Sequence, residues 1–313
     1  MVIPTNAQTT YDTIGIREDL SDIIYDISPT ETPFISMIAD QSTATAKLHE
    51  WQTDSLAAAA SNAVLEGDDT TATAVSATTR ATNRCQISKK VIAVSGTSRA
   101  VDTAGRDDEY AYQMYKRSEE LKRDMELVVT QNQAAVTGST TIAPQLRSLE
   151  AWFSTNTQRE AGGADGTTTQ AATDGTTPVA ISEAVLRTLL QSVFNSGGNP
   201  DYLMVGPFNK RSIGDFGSNN TRYVDAGENK VVAGIDVYES DFGTLQVVPN
   251  RFQRERTAFA LDSQFWSIAY LRPFMEESLA KTGDSDKGHV LAEYTLEARN
   301  EAASGVYADL TTS

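Results

Sequence analysis

Residues 107–138 read DDEYAYQMYKRSEELKRDMELVVTQNQAAVTG, and the rest of the chain is interpreted around them. Tyr110, Met114, Leu121, Met125, Val128 and Ala135 recur largely every three or four residues, which lays one apolar stripe along a helix. Glu119, Glu120, Lys122, Arg123 and Asp124 decorate the other faces. Asp107 or Asp108 can cap the start, because a short carboxylate accepts from the orphan N–H groups of a first turn. Gly138 is a natural stop. A helix over 107–137 would be about 45 Å long at 1.5 Å per residue. In a chain of 313 residues that length predicts an elongated body.

Downstream, helix and strand signals mix. Residues 144–160 carry Leu146, Leu149, Trp152 and Phe153, enough to pack, and 161–178 form a Gly/Thr/Ala loop. A second helix is predicted over 182–195, with Val185, Leu186, Leu189, Leu190, Val193 and Phe194 on one face and Gly197-Gly198 closing it. Residues 202–205 read as a buried strand and 209–216 as a short helix. Strands over 231–238 and 244–248 pair through Asp241-Phe242-Gly243, and 258–261, 266–271 and 290–297 are further strands. The class is α+β, with no βαβ rhythm and no internal repeat.

Upstream, residues 1–45 read as an arm. Ile14, Ile16, Leu20, Ile23, Ile24 and Ile27 punctuate an acidic stretch, and Pro29 and Pro33 bias their predecessors to extended backbone. Phe34, Ile35, Met37 and Ile38 make an apolar plug at its end. An arm cannot bury such groups by itself, so Ile23, Ile24, Ile27, Phe34 and Ile35 are expected on a neighbouring subunit. Removing 1–38 is then expected to leave the subunit folded. Residues 46–100 read as two strands, 47–51 and 84–94, flanking a tract of Ala, Thr, Ser and Gly. Composition serves a disordered loop equally well; the functional reading is an extended flap ordered against a neighbour.

The net charge of −16 excludes unaided wrapping of nucleic acid, which needs clustered Lys and Arg. A single cysteine, Cys85, excludes a disulfide framework and a cysteine zinc site. The start lacks the pattern of a signal peptide, and no apolar run is long enough to span a bilayer, so a cytoplasmic site of synthesis is expected. Chemistry is sparse. His49 and His289 sit in no metal or nucleophile spacing. Asp284-Ser285-Asp286 is dense in oxygen but matches no EF-hand, so a solvated turn is the better reading. Arg251, Arg254 and Arg256 form a basic cluster around Phe252. Against so acidic a chain they are expected to pair with carboxylates of a neighbouring subunit and not with DNA. Reversing their charge is expected to leave the subunit's fold intact. No catalytic, cofactor or metal residue is assigned.

The stretch YDTIGIREDLSDIIYDISPTETPF at 11–34 resembles a family of tailed-phage major capsid proteins. The likeness resumes at YESDFG (238–243), VPNRFQR (248–254), LRP (271–273), LAKTGDS (279–285) and EYTLE (293–297), in family order across nearly the whole chain. The resemblance implies the Hong Kong 97-type capsid fold. It divides the chain into an N-terminal arm (1–45), an extended loop (46–100), a peripheral domain with its spine helix (101–178), an axial domain (179–257), returning peripheral strands (258–298) and a C-terminal segment (299–313). It also implies a shell of hexamers and pentamers around double-stranded DNA, a virion location, and portal and possible decoration proteins as partners. The arm begins within a few residues of Met1, so scaffolding is expected as a separate protein. An encapsulin-type compartment shares the fold and is the first rival; a Thr/Ala-rich adhesin and an acidic hydrolase are weaker ones.

Overall fold

The computed structural model describes residues 28–312, apart from 39, 70–73, 76, 102, 104, 106 and 217–235. In chain order the elements are α1 (Pro33–Met37), β1 (Asp40–Thr43), β2 (Leu48–Thr53), β3 (Thr79–Arg84), β4 (Gln86–Ser95), α2 (Gly96–Ala100), α3 (Glu109–Thr130), α4 (Leu149–Trp152) and β5 (Thr157–Gln158). Then come α5 (Glu183–Asn195), β6 (Tyr202–Val205), α6 (Pro207–Gly214), β7 (Val237–Ser240), β8 (Gly243–Pro249), β9 (Ala258–Leu261), β10 (Trp266–Leu279), β11 (Ser285–Ala298) and β12 (Gly305–Tyr307).

A four-stranded sheet, ordered β1-β10-β11-β4, carries α3 on one face. Met114, Leu121, Met125 and Val129 of the helix are buried against Ile92 of β4 and Val290, Ala292 and Tyr294 of β11. Gly288 makes the approach possible: a Cβ there would lie 2.0 Å from the Tyr110 hydroxyl and 2.9 Å from Met114. Asp108 caps α3 by accepting from the Tyr110 N–H at 3.0 Å. The helix stops at Thr130, short of the expected 137. The residues beyond it bond sideways: Asn132 exchanges bonds with Ala172, and Gln133 donates to the Gln86 side chain and the Leu146 carbonyl. Side chains that offer the backbone other partners end helices, and at 22 residues α3 spans about 33 Å.

The six-stranded sheet runs β5-β12-β9-β6-β8-β7. Its central strands are covered on both faces. Leu203, Val205, Ala258 and Ala260 face α5 and α6, while Met204, Phe259 and Leu261 face the layer beneath α3. Strands buried on both sides read as continuous apolar runs, which is why 202–205 and 258–261 were legible without alternation. Strand β9 belongs to this sheet, so 258–298 is not one set of returning strands: 258–261 lies in one sheet and 266–298 in the other. The C-terminal segment contributes β12, between β5 and β9, and was not anticipated as a strand. Most of the expected 231–238 strand lies outside the described residues; β7 is its end.

The expected return strand over 84–94 is two strands. Thr79–Arg84 pairs with Leu48–Thr53, whereas Gln86–Ser95 joins β11. Buried Cys85 stands at the switch, its N–H bound to the Lys47 carbonyl at 2.9 Å. The β2–β3 ribbon is fastened at its base to the end of β11. Asn83 donates to the Leu296 carbonyl at 2.7 Å, and the Trp51 indole to the Ala298 carbonyl at 2.8 Å.

The plug of the arm is not free for a neighbour. Phe34 is 1% exposed, inside the core of its own chain. Pro33 opens α1, and the buried Glu126 carboxylate accepts from the Phe34 N–H at 2.7 Å, the Ile35 N–H at 3.0 Å and the Asn250 amide at 2.6 Å. Burial pushes the Glu126 pKa up, and these three donors oppose the push. This anchoring opposes the expectation that a subunit lacking 1–38 stays folded. Removing 1–31 should leave the melting transition in place, while removing 1–38 orphans Glu126 and empties the Phe34 pocket. Phe34→Ala alone should cost about 3–5 kcal/mol in denaturant unfolding. Equal stability of the two truncations would contradict this anchoring.

Candidate functional site

The two histidines, Asp286 and Cys85 each have a partner within the fold. His49 Nε2 lies 3.2 Å from Glu297, which also accepts from Ser42, and His289 lies 3.4 Å from Glu277. Asp286 is paired with Arg99 at 2.6 Å and Lys281 at 2.5 Å, which together hold its carboxyl below the ordinary range. Arg99 thus ties Asp286, at the tip of the β10–β11 hairpin, to α2, while Lys281 pairs with it inside the hairpin. Burial pushes the Cys85 thiol up to about 11, so it is a poor nucleophile. Among the described residues no group of three or more His, Cys, Asp and Glu could hold a metal ion. No helix among them is long and apolar enough to cross a membrane.

The arginine cluster does find carboxylates, but within its own chain. Arg254 donates to both oxygens of Glu150, at 3.1 and 3.0 Å, and to Asp174. Arg256 reaches Asp174 at 3.1 Å, and Arg159 bridges Glu150 at 3.2 Å and Asp165 at 2.7 Å. Glu150 is fully buried beneath two guanidinium groups. Burial alone would lower the Arg254 pKa, but Glu150 and Asp174 hold it above its ordinary value. Arg254 and Arg256 thus meet carboxylates of their own subunit, where the network clamps the segments 147–178 and 250–257 together. Arg251 differs, being exposed with no ion pair among the described residues. Glu126, Glu150 and Asn83 hold the fold at its joints, yet nothing in their sequence spacing marks them.

The surface with unmet demands lies elsewhere. Between β2 and β3 the described residues of 54–78 have no regular structure and stand away from the body. Leu56 is 99% exposed, Val75 95%, Leu65 82% and Val64 78%. The excursion is therefore less devoid of large apolar groups than its composition suggests. Large apolar side chains scattered singly on a surface are ordinary; four this exposed on one segment between β2 and β3 are a concentration of them. Ile35 is half-buried beside Phe34, and Ile23, Ile24 and Ile27 lie outside the described residues.

A model of the family described as SU10 major capsid protein matches residues 3–311. The chain belongs to that family. The SU10-family chain is also 25% identical, over 95% of its length and 95% of the relative's, to the major capsid protein of Escherichia phage Phieco32. Among solved structures it is similar to the Cyanophage A-1(L) capsid asymmetric unit, with a TM-score of 0.64 at 12% identity, covering 97% of this chain and 99% of that one. It is also similar to the holo-SrpI encapsulin complex from Synechococcus elongatus PCC 7942, with a TM-score of 0.58 at 9% identity, covering 94% and 92%. Identities this low speak to fold alone, and the fold is the α+β Hong Kong 97-type capsid fold.

The clamp separates two arginines that the sequence grouped. Arg254→Glu removes a partner from buried Glu150 and should destabilise the subunit by up to about 3 kcal/mol. Arg251→Glu should change its stability by less than about 0.5 kcal/mol. Thermal or urea unfolding of the two variants checks this; equal effects would contradict the network.

Proposed function

We propose that this chain builds the shell of a tailed double-stranded DNA phage, as the repeated subunit of hexamers and pentamers that close into an icosahedral container. The observation that carries the reading is the family match from residue 3 to 311, and the exposed apolar excursion supports it. The mechanism is geometric, with no chemical step. Leu56, Val64, Leu65 and Val75, joined by the arm side chains Ile23, Ile24 and Ile27, are covered by neighbouring copies. Each is worth about 1.5–3 kcal/mol when fully buried, enough to offset the self-repulsion of an acidic subunit. Of the three clustered arginines, Arg251 is the one with no ion pair among the described residues, and it pairs across a subunit boundary.

In this reading the β2–β3 ribbon with its excursion, 48–84, is the extended loop, α3 the spine, the four-stranded sheet that includes β4 the peripheral domain and the six-stranded sheet the core of the axial domain. The partners are further copies of the chain, a scaffolding protein, a portal and possible decoration proteins. Assembly takes place in the bacterial cytoplasm and the product is the virion capsid, which encloses DNA without reading its sequence. An encapsulin-type compartment is the second reading, favoured by the likeness to the cyanobacterial encapsulin. Particle contents separate the two, nucleic acid for the first and cargo protein for the second.

Changing Leu56, Val64, Leu65 and Val75 together to Ser should leave the subunit's melting temperature unchanged, because all four are already in water. The same variant should fail to build closed particles in electron micrographs under conditions where the parent does. Normal shells from the quadruple variant would remove the excursion from the mechanism.

A further inference from the structure

Strand β4 closes one side of the four-stranded sheet, and no strand among the described residues pairs with its outer edge. Toward β11 it is regular, with ten consecutive residue pairs from Gln86 to Ser95 and no bulge. Residues 91–95 line an open groove whose far wall is α3, with Gln113 and Arg117 along it. They read Val-Ile-Ala-Val-Ser, and Val91, Ala93 and Ser95 are exposed. A flat, apolar edge is a template for a further strand, and proteins that keep such edges free protect them with charge, proline or a bulge. Nothing of that kind lies between 91 and 95.

The charges around the groove indicate which strand fits. Helix α3 runs back along β4: Asp108 pairs with Arg99 just beyond the strand's end at 3.1 Å, and Asp124 with Lys90 near its start at 2.6 Å. Arg117 also belongs to the wall, and its buried Nε has no hydrogen-bond partner. At the Ser95 end the cations Arg99 and Lys281 are matched by Asp108 and Asp286. The exposed Asp284 carboxylate, which lies against Gly96, is left in excess there. Toward the other end Lys90 and Arg117 are matched by Asp124 and Glu120, and the exposed Lys89 has no ion pair among the described residues. The edge is therefore complementary to itself turned end for end.

We propose that β4 pairs antiparallel with β4 of a second copy, across a two-fold axis at Ala93. Val91 then lies opposite Ser95 and Lys90 opposite Gly96, so that Lys89 of each copy points toward Asp284 of the other. A parallel pairing would set lysines against lysines, and like charges facing each other across strands are destabilising. The contact is isologous, so every bond in it is made twice. The outward backbone groups of 91–95 gain partners, and the two four-stranded sheets become continuous. The proposal names one contact between copies and rests on the shell reading.

The test uses the full chain with single cysteines in β4, mildly oxidised as subunits with native near-ultraviolet dichroism and as particles. Opposite residues of an antiparallel pair lie about 4.5–5.5 Å apart at Cα, within disulfide reach. Ala93→Cys should give several-fold more linked dimer than Ile87→Cys, which is exposed too but would lie about 40 Å from its mate. Cys85 is 2% exposed and does not compete. Val91→Cys and Ser95→Cys should link strongly only when the two variants are mixed. Strong linking of Val91→Cys by itself, or Ala93→Cys dimers no more abundant than those of Ile87→Cys, would overturn the pairing. Amides 91–95 protected from exchange in particles that lack the Ala93→Cys link would assign the edge to a different strand and overturn it too. Normal particles without the link would leave the shell reading standing. Linked dimers from subunits that build no particle would leave the pairing standing and count against the shell.

Discussion

Where α3 crosses the four-stranded sheet, Met114, Leu121, Met125 and Val129 sink into a layer shared with Ile92, Val290, Ala292 and Tyr294. The same layer continues into Met204, Phe259 and Val306 of the second sheet, so one buried seam holds both sheets and the helix together. Close approach is a condition of that seam. Gly288 has no side chain to hold Tyr110 away, and interiors packed to crystal-like density do not absorb an extra atom cheaply. The helix also carries Glu126 into the seam, where an ionisable group is tolerated only with partners. Those partners come from the arm and from Asn250, so the core is closed by a segment more than ninety residues away in the chain.

That arrangement divides the molecule into parts that are satisfied and parts that are not. The clamp of Arg159, Glu150, Arg254, Asp174 and Arg256 joins two loops with charges that are largely removed from water. Asn83 and Trp51 fasten the base of the β2–β3 ribbon to the carbonyls at the end of β11. Beyond that base the ribbon leaves the body and carries its apolar side chains into solvent. A rigid root with an unsatisfied tip suits an element whose partner is another molecule, because the root sets the direction in which the tip is presented.

The sequence made the elements legible where periodicity and burial agree. Helix α5 was expected over 182–195 and spans Glu183–Asn195, and strands β6 and β9 fall where continuous apolar runs placed them. The outer halves of β10 and β11 were missed. Residues from Pro273 to Leu279 are largely exposed, with Phe274 and Met275 adjacent and Glu276, Glu277 and Ser278 in a row, and a register slip near Arg272 accommodates the proline, so no alternation survives to be read. The polar strand β3 was hidden for the same reason. Pairing is the deeper limit. Arg254 and Phe34 were correctly singled out as groups needing partners, but a single sequence does not say that the partners are Glu150 and the core of the same chain. The resemblance carried the family across the whole chain, while the side chains that hold the joints, Glu126 above all, carried no spacing of their own.

The central claim is that the excursion between β2 and β3 is completed by a neighbouring copy and not by its own subunit. Hydrogen exchange of residues 54–78, measured in free subunits and again in assembled particles, tests it most directly. The account predicts fast exchange in the free subunit at rates close to those of an unstructured peptide, with strong protection appearing only in the particle. Equal protection in both states, or fast exchange that persists after assembly, would contradict it.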